Sequence, residues 1–157
     1  MKIVAFMQNP WFPPGTQRAH VDRYRTDQEF HQRLLSRTMS GGRLLQAFGP
    51  DTFSKIWWDN VAPEAAEEAA GQTEIDYDHV ERVIHTQKPD LIISFGALAE
   101  RALDNSIGAI EIPYMCCHHP NARGKTVSDL AQFAIDVQQK IEELRLSAEA
   151  KKVVEHL

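Results

Sequence analysis

The chain has 157 residues, of which 43% are hydrophobic, and a formal net charge of −5. That composition supplies one core of ordinary size, so a single domain over residues 1–157 is expected. No apolar run reaches the ~20 residues of a membrane-spanning helix, and Met1-Lys2 leads into strand-like sequence rather than a secretory leader, so a cytoplasmic protein with no membrane partner is expected.

In chain order, Lys2 to Met7 predicts a strand, and the Pro/Gly-rich stretch Pro10 to Gly15 a loop that cannot continue it. Thr26-Asp27-Gln28-Glu29 has the capping-box pattern and predicts a helix with Phe30, Leu34 and Leu35 inward, ending near Gly41-Gly42. Phe53 to Trp58 predicts a second strand, Pro63 to Ala70 a short acidic helix, and Tyr77, Val80, Val83 and Ile84 an amphipathic helix stopping at Lys88-Pro89. Leu91 to Phe95 is a continuous apolar run of the kind buried on both faces of a parallel sheet, and Gly96 turns it into a helix from Ala97 to Leu103. Ile110 to Cys116 supplies a fourth strand. Thr126-Val127-Ser128-Asp129 caps a long helix with Val127, Leu130, Ala134, Val137, Ile141 and Leu144 on one stripe, and Ser147 to Leu157 predicts a final helix. The alternation implies an α/β fold, a three-layer α/β/α sandwich around a mostly parallel four-stranded sheet.

Charge is unevenly spread. Gln17 to Arg43 carries six arginines against Asp22, Asp27 and Glu29, whereas Asp51 to Glu81 carries nine acids against Lys55 alone. One face can then meet phosphate while another stays solvated, although Arg33 and Arg37 on the wet side of a helix read equally well as solvating residues. Cys116 and Cys117 are the only cysteines, and adjacent strand positions point to opposite faces, so core thiols are expected rather than a disulfide. No third histidine or carboxylate stands at helix spacing from His118-His119, and no metal or organic cofactor is expected.

Two polar segments each follow a predicted strand: Met7-Gln8-Asn9-Pro10-Trp11-Phe12 and His118-His119-Pro120-Asn121. Parallel strands deliver such loops to one edge of the sheet, where open α/β folds build their sites. Taken alone, Asn9-Pro10 reads as a turn pair, Asn60 as a strand terminator, and at least one of Trp57 and Trp58 as core.

Met7 to Gly15, followed by Gln17, Ala19 and His20, resembles the water-activating loop of uracil-DNA glycosylases, Gly-Gln-Asp-Pro-Tyr-His-Gly-Pro-Gly-Gln-Ala-His, with Asn9 where the single-strand-selective and mismatch-type branches also have Asn. His119-Pro120-Asn121 is similar to the His-Pro-Ser of the family's second motif. Trp57 to Val61 resembles the strand whose terminal Asn reads the pyrimidine, and Leu91 to Ala99 the strand-Gly-helix unit before the second motif. The four matches fall in the family's chain order. Departures stand out: Met7 and Trp11 replace the glycines of the mismatch-type loop, Trp11 instead resembling the Tyr that crowds the pyrimidine C5 position in the uracil-specific branch, and Asn121-Ala122-Arg123-Gly124 replaces the usual Ser-Pro-Leu or Ser-Pro-Arg.

The resemblance implies a uracil-DNA-glycosylase-like domain that flips a nucleotide out of DNA and hydrolyses its glycosidic bond. Asn9 would orient the water and His119 would donate to the departing base. Gln8, Trp11, Phe12, Phe48 and Asn60 would hold that base, with Phe12 and Phe48 as alternative stacking partners. Arg18, His20, Asn121, Arg123 and Lys125 would contact DNA. No lysine lies within either loop to form a Schiff base, Lys125 being nearest, so a monofunctional enzyme is expected. Two alternatives are a DNA-binding module that keeps the flipped-base pocket without cutting, and a base-modifying transferase on the same fold.

Overall fold

The architecture is that of a computed structural model, which describes residues 1–10, 12, 15–63, 74–106, 108–109, 111–122, 124 and 126–157. The short acidic helix expected from Pro63 to Ala70 lies, after Pro63, outside the described residues, as do Trp11, Arg123 and Lys125.

Four strands, β1 (Ile3–Met7), β2 (Ile56–Asn60), β3 (Leu91–Phe95) and β4 (Tyr114–Cys117), form one sheet in the order β2-β1-β3-β4, every pair parallel. All residues of β1 and β3 are buried, as an apolar strand covered on both faces requires. Side chains alternate between two cores. Ile3, Ala5, Met7, Ile56, Trp58, Leu91, Ile93 and Phe95 face one helical layer, while Val4, Phe6 and Ile92 face the other. The first layer holds α2 (Gln28–Ser36), α3 (Met39–Phe48), α4 (Pro50–Lys55) and α7 (Val127–Glu155), and the second holds α5 (Tyr77–Gln87) and α6 (Ala97–Asp104). The fold is therefore the three-layer α/β/α sandwich that the alternating pattern predicts.

Several boundaries differ from the sequence reading, each for a local reason. A helix α1 (Arg18–Thr26), not anticipated, precedes α2; it buries only Val21 and Tyr24 and has no side-chain N-cap, so its periodic signal is faint. The cap of α2 is Asp27, whose Oδ1 accepts from the Phe30 N–H at 3.1 Å, one residue after the expected Thr26. The single helix expected to end near Gly41-Gly42 is instead two. Thr38 stops the first and caps α3 through the Gly41 N–H at 2.9 Å, leaving both glycines inside a helix. Phe53 is helical rather than extended, because Gly49 at φ 81° followed by Pro50 at the first helical position starts α4. The last strand begins at Tyr114, and the final helix is the uninterrupted continuation of α7. Thr126 and Asp129 form the predicted capping box, and Leu130, Phe133, Val137 and Ile141 are the buried stripe; Val127 is exposed.

The edge strand β2 is covered by side-chain amides. Gln28 accepts from the Trp58 N–H at 2.6 Å and donates to its carbonyl at 3.1 Å, while Gln32 donates to the Ser54 and Ile56 carbonyls. The amides of α2 thus satisfy backbone groups that an uncovered edge would offer to another chain.

Gly41 marks the closest approach of α2 and α3, for a Cβ built there would fall on the Leu35 carbonyl. Gly42 meets only the Ser36 carbonyl oxygen, at 3.6 Å. Gly41→Ala is expected to cost about 3 kcal/mol as a backbone overpacking. Gly42→Ala should be neutral or stabilising by up to ~1 kcal/mol through helix propensity. Urea midpoints at unchanged slope check both, and equal effects would contradict this packing.

Candidate functional site

β1 ends at Met7 in the middle of the sheet, and the ladder with β2 persists past it: the Met7 and Gln8 carbonyls accept from the Val61 and Ala62 N–H groups at 2.9 Å. Gln8, Asn9 and Pro10 are thereby held at the carboxyl edge beside Asn60. On the other side, β4 delivers His118 and His119 to the same edge. Gly96, at φ 96°, admits the His119 ring over the start of α6; a Cβ on Gly96 would sit 3.6 Å from that of His119.

Between these loops lies a cavity of ≈ 510 Å³ lined by Met7, Gln8, Asn9, Pro10, Phe12, His20, Tyr24, Leu34, Leu35, Thr38, Met39, Ser40, Asn60, His119 and Asn121. Seven residues singled out in the sequence, Gln8, Asn9, Phe12, His20, Asn60, His119 and Asn121, meet here. Two do not. Phe48 packs edge-on against Trp58 and Phe95, with ring centroids 6.4 and 6.3 Å away, so its side chain belongs to the core rather than a stacking floor. Arg18 is exposed and paired with Asp22 at 2.9 Å. Trp58 is fully buried, while Trp57 lies on the opposite face with the Lys2 ammonium over its ring.

The His119 loop is fastened to α3. Arg43 donates to the Pro120 carbonyl at 2.8 Å, and the Asn121 amide donates to Ser40 Oγ at 2.8 Å. Within the loop, the Asn121 N–H donates to His119 Nδ1 at 3.1 Å. An Nδ1 that accepts cannot carry the proton of a neutral imidazole, so that proton resides on Nε2. Burial, and secondarily the neighbouring His118, push the His119 pKa below its ordinary value, so the ring is neutral at physiological pH and offers Nε2–H as a donor. The carboxamide of Asn9 donates to the Pro10 carbonyl at 3.3 Å, which leaves its Oδ1 as an acceptor.

Asn60 is 6% exposed and is oriented from two sides. Its N–H donates to Asp59 at 2.8 Å, and that carboxylate also accepts from the Trp57 indole at 3.2 Å and pairs with His79 at 2.7 Å. The Asn60 side chain also hydrogen-bonds Tyr24, whose hydroxyl burial drives up to about 12, so it stays protonated. Tyr24 stacks on His31 at 3.9 Å, and the His31 ring donates from Nδ1 to the Tyr24 carbonyl at 3.2 Å. The sequence reading missed Tyr24 because it missed α1; it likewise missed the α2–α3 rim, Thr38, Met39 and Ser40. A lone tyrosine among arginines offered a weak signal.

Among the described residues, no group of three His, Cys, Asp or Glu side chains is placed to hold a metal, and no helix is long and apolar enough to cross a membrane. What the cavity presents is an acceptor on Asn9, a neutral donor on His119, an oriented amide on Asn60 and an aromatic ring on Phe12. Comparison with protein-family models and with curated proteins returned no match.

Burial lowers the His31 pKa from 6.5 to about 4. Because the unfolded chain binds that proton more readily, the stability held by neutral His31 is complete above pH ~6.5 and is lost as pH falls toward ~4, by up to about 3 kcal/mol. His31→Gln should flatten the stability profile across that window, as followed by urea unfolding at stepped pH.

Arg43→Ala should release the His119 loop and move the His119 titration toward 6.5, measured by NMR of the imidazole protons. An unchanged titration with intact fold would mean that the Pro120 contact does not hold the ring.

Proposed function

We propose that the chain is a uracil-DNA-glycosylase-like domain, a monofunctional DNA glycosylase that hydrolyses the N-glycosidic bond of uracil or a related modified pyrimidine. The observation that carries this reading is that Asn9 and His119, from loops distant in sequence, line one cavity together with Asn60 and Phe12. Support comes also from the order of the four resembling segments along the chain.

In this reading a flipped pyrimidine stacks on Phe12 and presents its polar edge to the Asn60 carboxamide, which Tyr24 has already oriented, while Asp59 holds the Asn60 backbone N–H. The glycosidic bond breaks with its electron pair passing to the base nitrogen. The His119 Nε2–H stabilises the negative charge developing on the base oxygen, and a neutral donor suffices for this. Positive charge develops on the sugar. A water directed by Asn9 Oδ1 adds its oxygen to the anomeric carbon and releases a proton to solvent, and the base takes up a proton as it leaves. Asn9 orients without acting as a base, because a carboxamide accepts no proton near neutrality.

Asn9 also favours a second reading. A site with no carboxylate at this position is what a DNA-binding module that holds a flipped base without cutting would retain.

An oligonucleotide panel of uracil, hydroxymethyluracil, thymine mismatches and normal bases separates the two. Base release is expected, leaving a strand that breaks only on alkali treatment. His119→Ala should lower the single-turnover rate by on the order of a hundredfold with affinity nearly intact. Asn9→Ala should lose most activity, and Asn9→Asp should retain or raise it. No release from any substrate at large enzyme excess would favour the binding module.

A further inference from the structure

Behind the cavity of Asn9 and His119 lies a second one, of ≈ 310 Å³, and the two share Tyr24 and Asn60 as a common wall. Asn9, Phe12 and His119 do not reach it. Its volume stands at the small end of ligand sites and leaves room for a molecule of amino-acid size.

The charged groups that line it fall into two sets. Arg25 and Asp59 are engaged by the protein: Arg25 donates to the Pro63 carbonyl at 2.9 Å, and Asp59 takes the Asn60 N–H, the Trp57 indole and the His79 ring. Asp76 and Arg82 are open. Both are exposed, and they pair neither with each other nor with any other charged side chain among the described residues. Asp76 caps α5 by accepting the His79 N–H on Oδ1 at 3.0 Å, which leaves Oδ2 to accept from elsewhere. One carboxylate oxygen and one guanidinium on a single cavity match the ammonium and carboxylate of an α-amino acid.

Two surface charges alone are ordinary; the buried end of the cavity supplies the independent observation. His31 is 5% exposed, lines the cavity, and donates from Nδ1 to the Tyr24 carbonyl at 3.2 Å. A neutral imidazole that donates from one nitrogen accepts at the other, and Nε2 has no partner among the described residues. His79 repeats the arrangement, since its Nε2 faces the Asp59 carboxylate at 2.7 Å and the uncharged ring then holds a lone pair on Nδ1. A buried acceptor left unpaired is costly, so this end calls for a donor. Among the described residues these imidazoles and carboxylates do not converge as the ligands of a metal do, so the complement is a molecule whose donors are spaced along it.

We infer that the second cavity binds a free α-amino acid with an uncharged, hydrogen-bond-donating side chain, its carboxylate on Arg82, its ammonium on Asp76 and its side-chain N–H or O–H on His31 Nε2. The lining is formally balanced, with Arg25 and Arg82 against Asp59 and Asp76, and a zwitterion enters it without adding net charge. The site is independent of the proposed base release, and either can fail without the other.

The test titrates the full chain, above the ordinary imidazole range, with L-glutamine while NMR follows the His31 and His79 ring signals. Two analogues remove one contact each: L-norvaline keeps the head group without a side-chain donor, and N-acetyl-L-glutamine has lost the ammonium. L-Glutamine is expected to shift the His31 signal saturably, and each analogue to bind more weakly by on the order of tenfold, the scale of one lost hydrogen bond to a charged or buried group. Arg82→Ala and Asp76→Asn should each weaken L-glutamine by a similar factor. Both variants retain the fold, because Arg82 is exposed and an asparagine still caps α5. No saturable shift with L-glutamine, L-asparagine, L-serine or L-threonine at millimolar concentration overturns the site. Equal affinity for L-glutamine and L-norvaline, or binding unchanged in both variants, overturns the assigned contacts and with them the inference.

Discussion

β1 is paired on both sides, to β2 through all five of its residues and to β3 through four, and both of its faces are buried. The site hangs from this pairing. Because the strand's hydrogen bonds run on past Met7 to Val61 and Ala62, the chain cannot turn aside until Pro10, and Asn9 arrives at the centre of the carboxyl edge with Asn60 level with Met7 beside it. A parallel ladder allows a slip of one residue only by exchanging the two faces of the sheet. Here both faces are apolar, and β1 presents Ile3, Ala5 and Met7 to one core and Val4 and Phe6 to the other, so a slip would exchange these two sets and displace Asn9 from the carboxyl edge.

Three titratable groups in or behind the cavity are held neutral by burial. His31, His119 and Tyr24 all have their charged forms penalised by desolvation. The carboxylate nearest Asn60, Asp59, is met by the Trp57 indole, the Asn60 N–H and His79, and so remains a fixed acceptor that aims its neighbours. Neutral, oriented donors of this kind stabilise charge that develops during a reaction without first having to be desolvated. They would serve the cleavage proposed above, in which charge appears transiently on a base and a sugar.

The second support of the site is the α2–α3 hairpin. Gly41 lets the two helices touch, the Gln28 and Gln32 amides tie α2 to β2, and Ser40 and Arg43 tie α3 to the His119 loop. One small unit thus bridges the strand that carries Asn60 and the loop that carries His119. It also forms the outer rim of the cavity.

Much of this was legible in the sequence. Uninterrupted apolar runs at Ile3 and Leu91, Gly96 after a strand and the Thr126–Asp129 cap are local signals, and they determined the layers, the parallel sheet and the edge where the loops emerge. The residues of the two loops were likewise visible, since a polar segment directly after a buried strand has few places to go. What lay beyond sequence was decided by contacts between distant residues. Phe48 was indistinguishable from Phe12 until α3 turned it onto Trp58 and Phe95. Arg43 and Ser40 acquired roles only through Pro120 and Asn121, far along the chain. Tyr24 entered the site because α1, too weakly amphipathic to announce itself, is held by the Tyr24–His31 stack and the bond to Asn60. Local periodicity encodes which face of an element is buried; which side chains meet across elements depends on packing that no single segment contains.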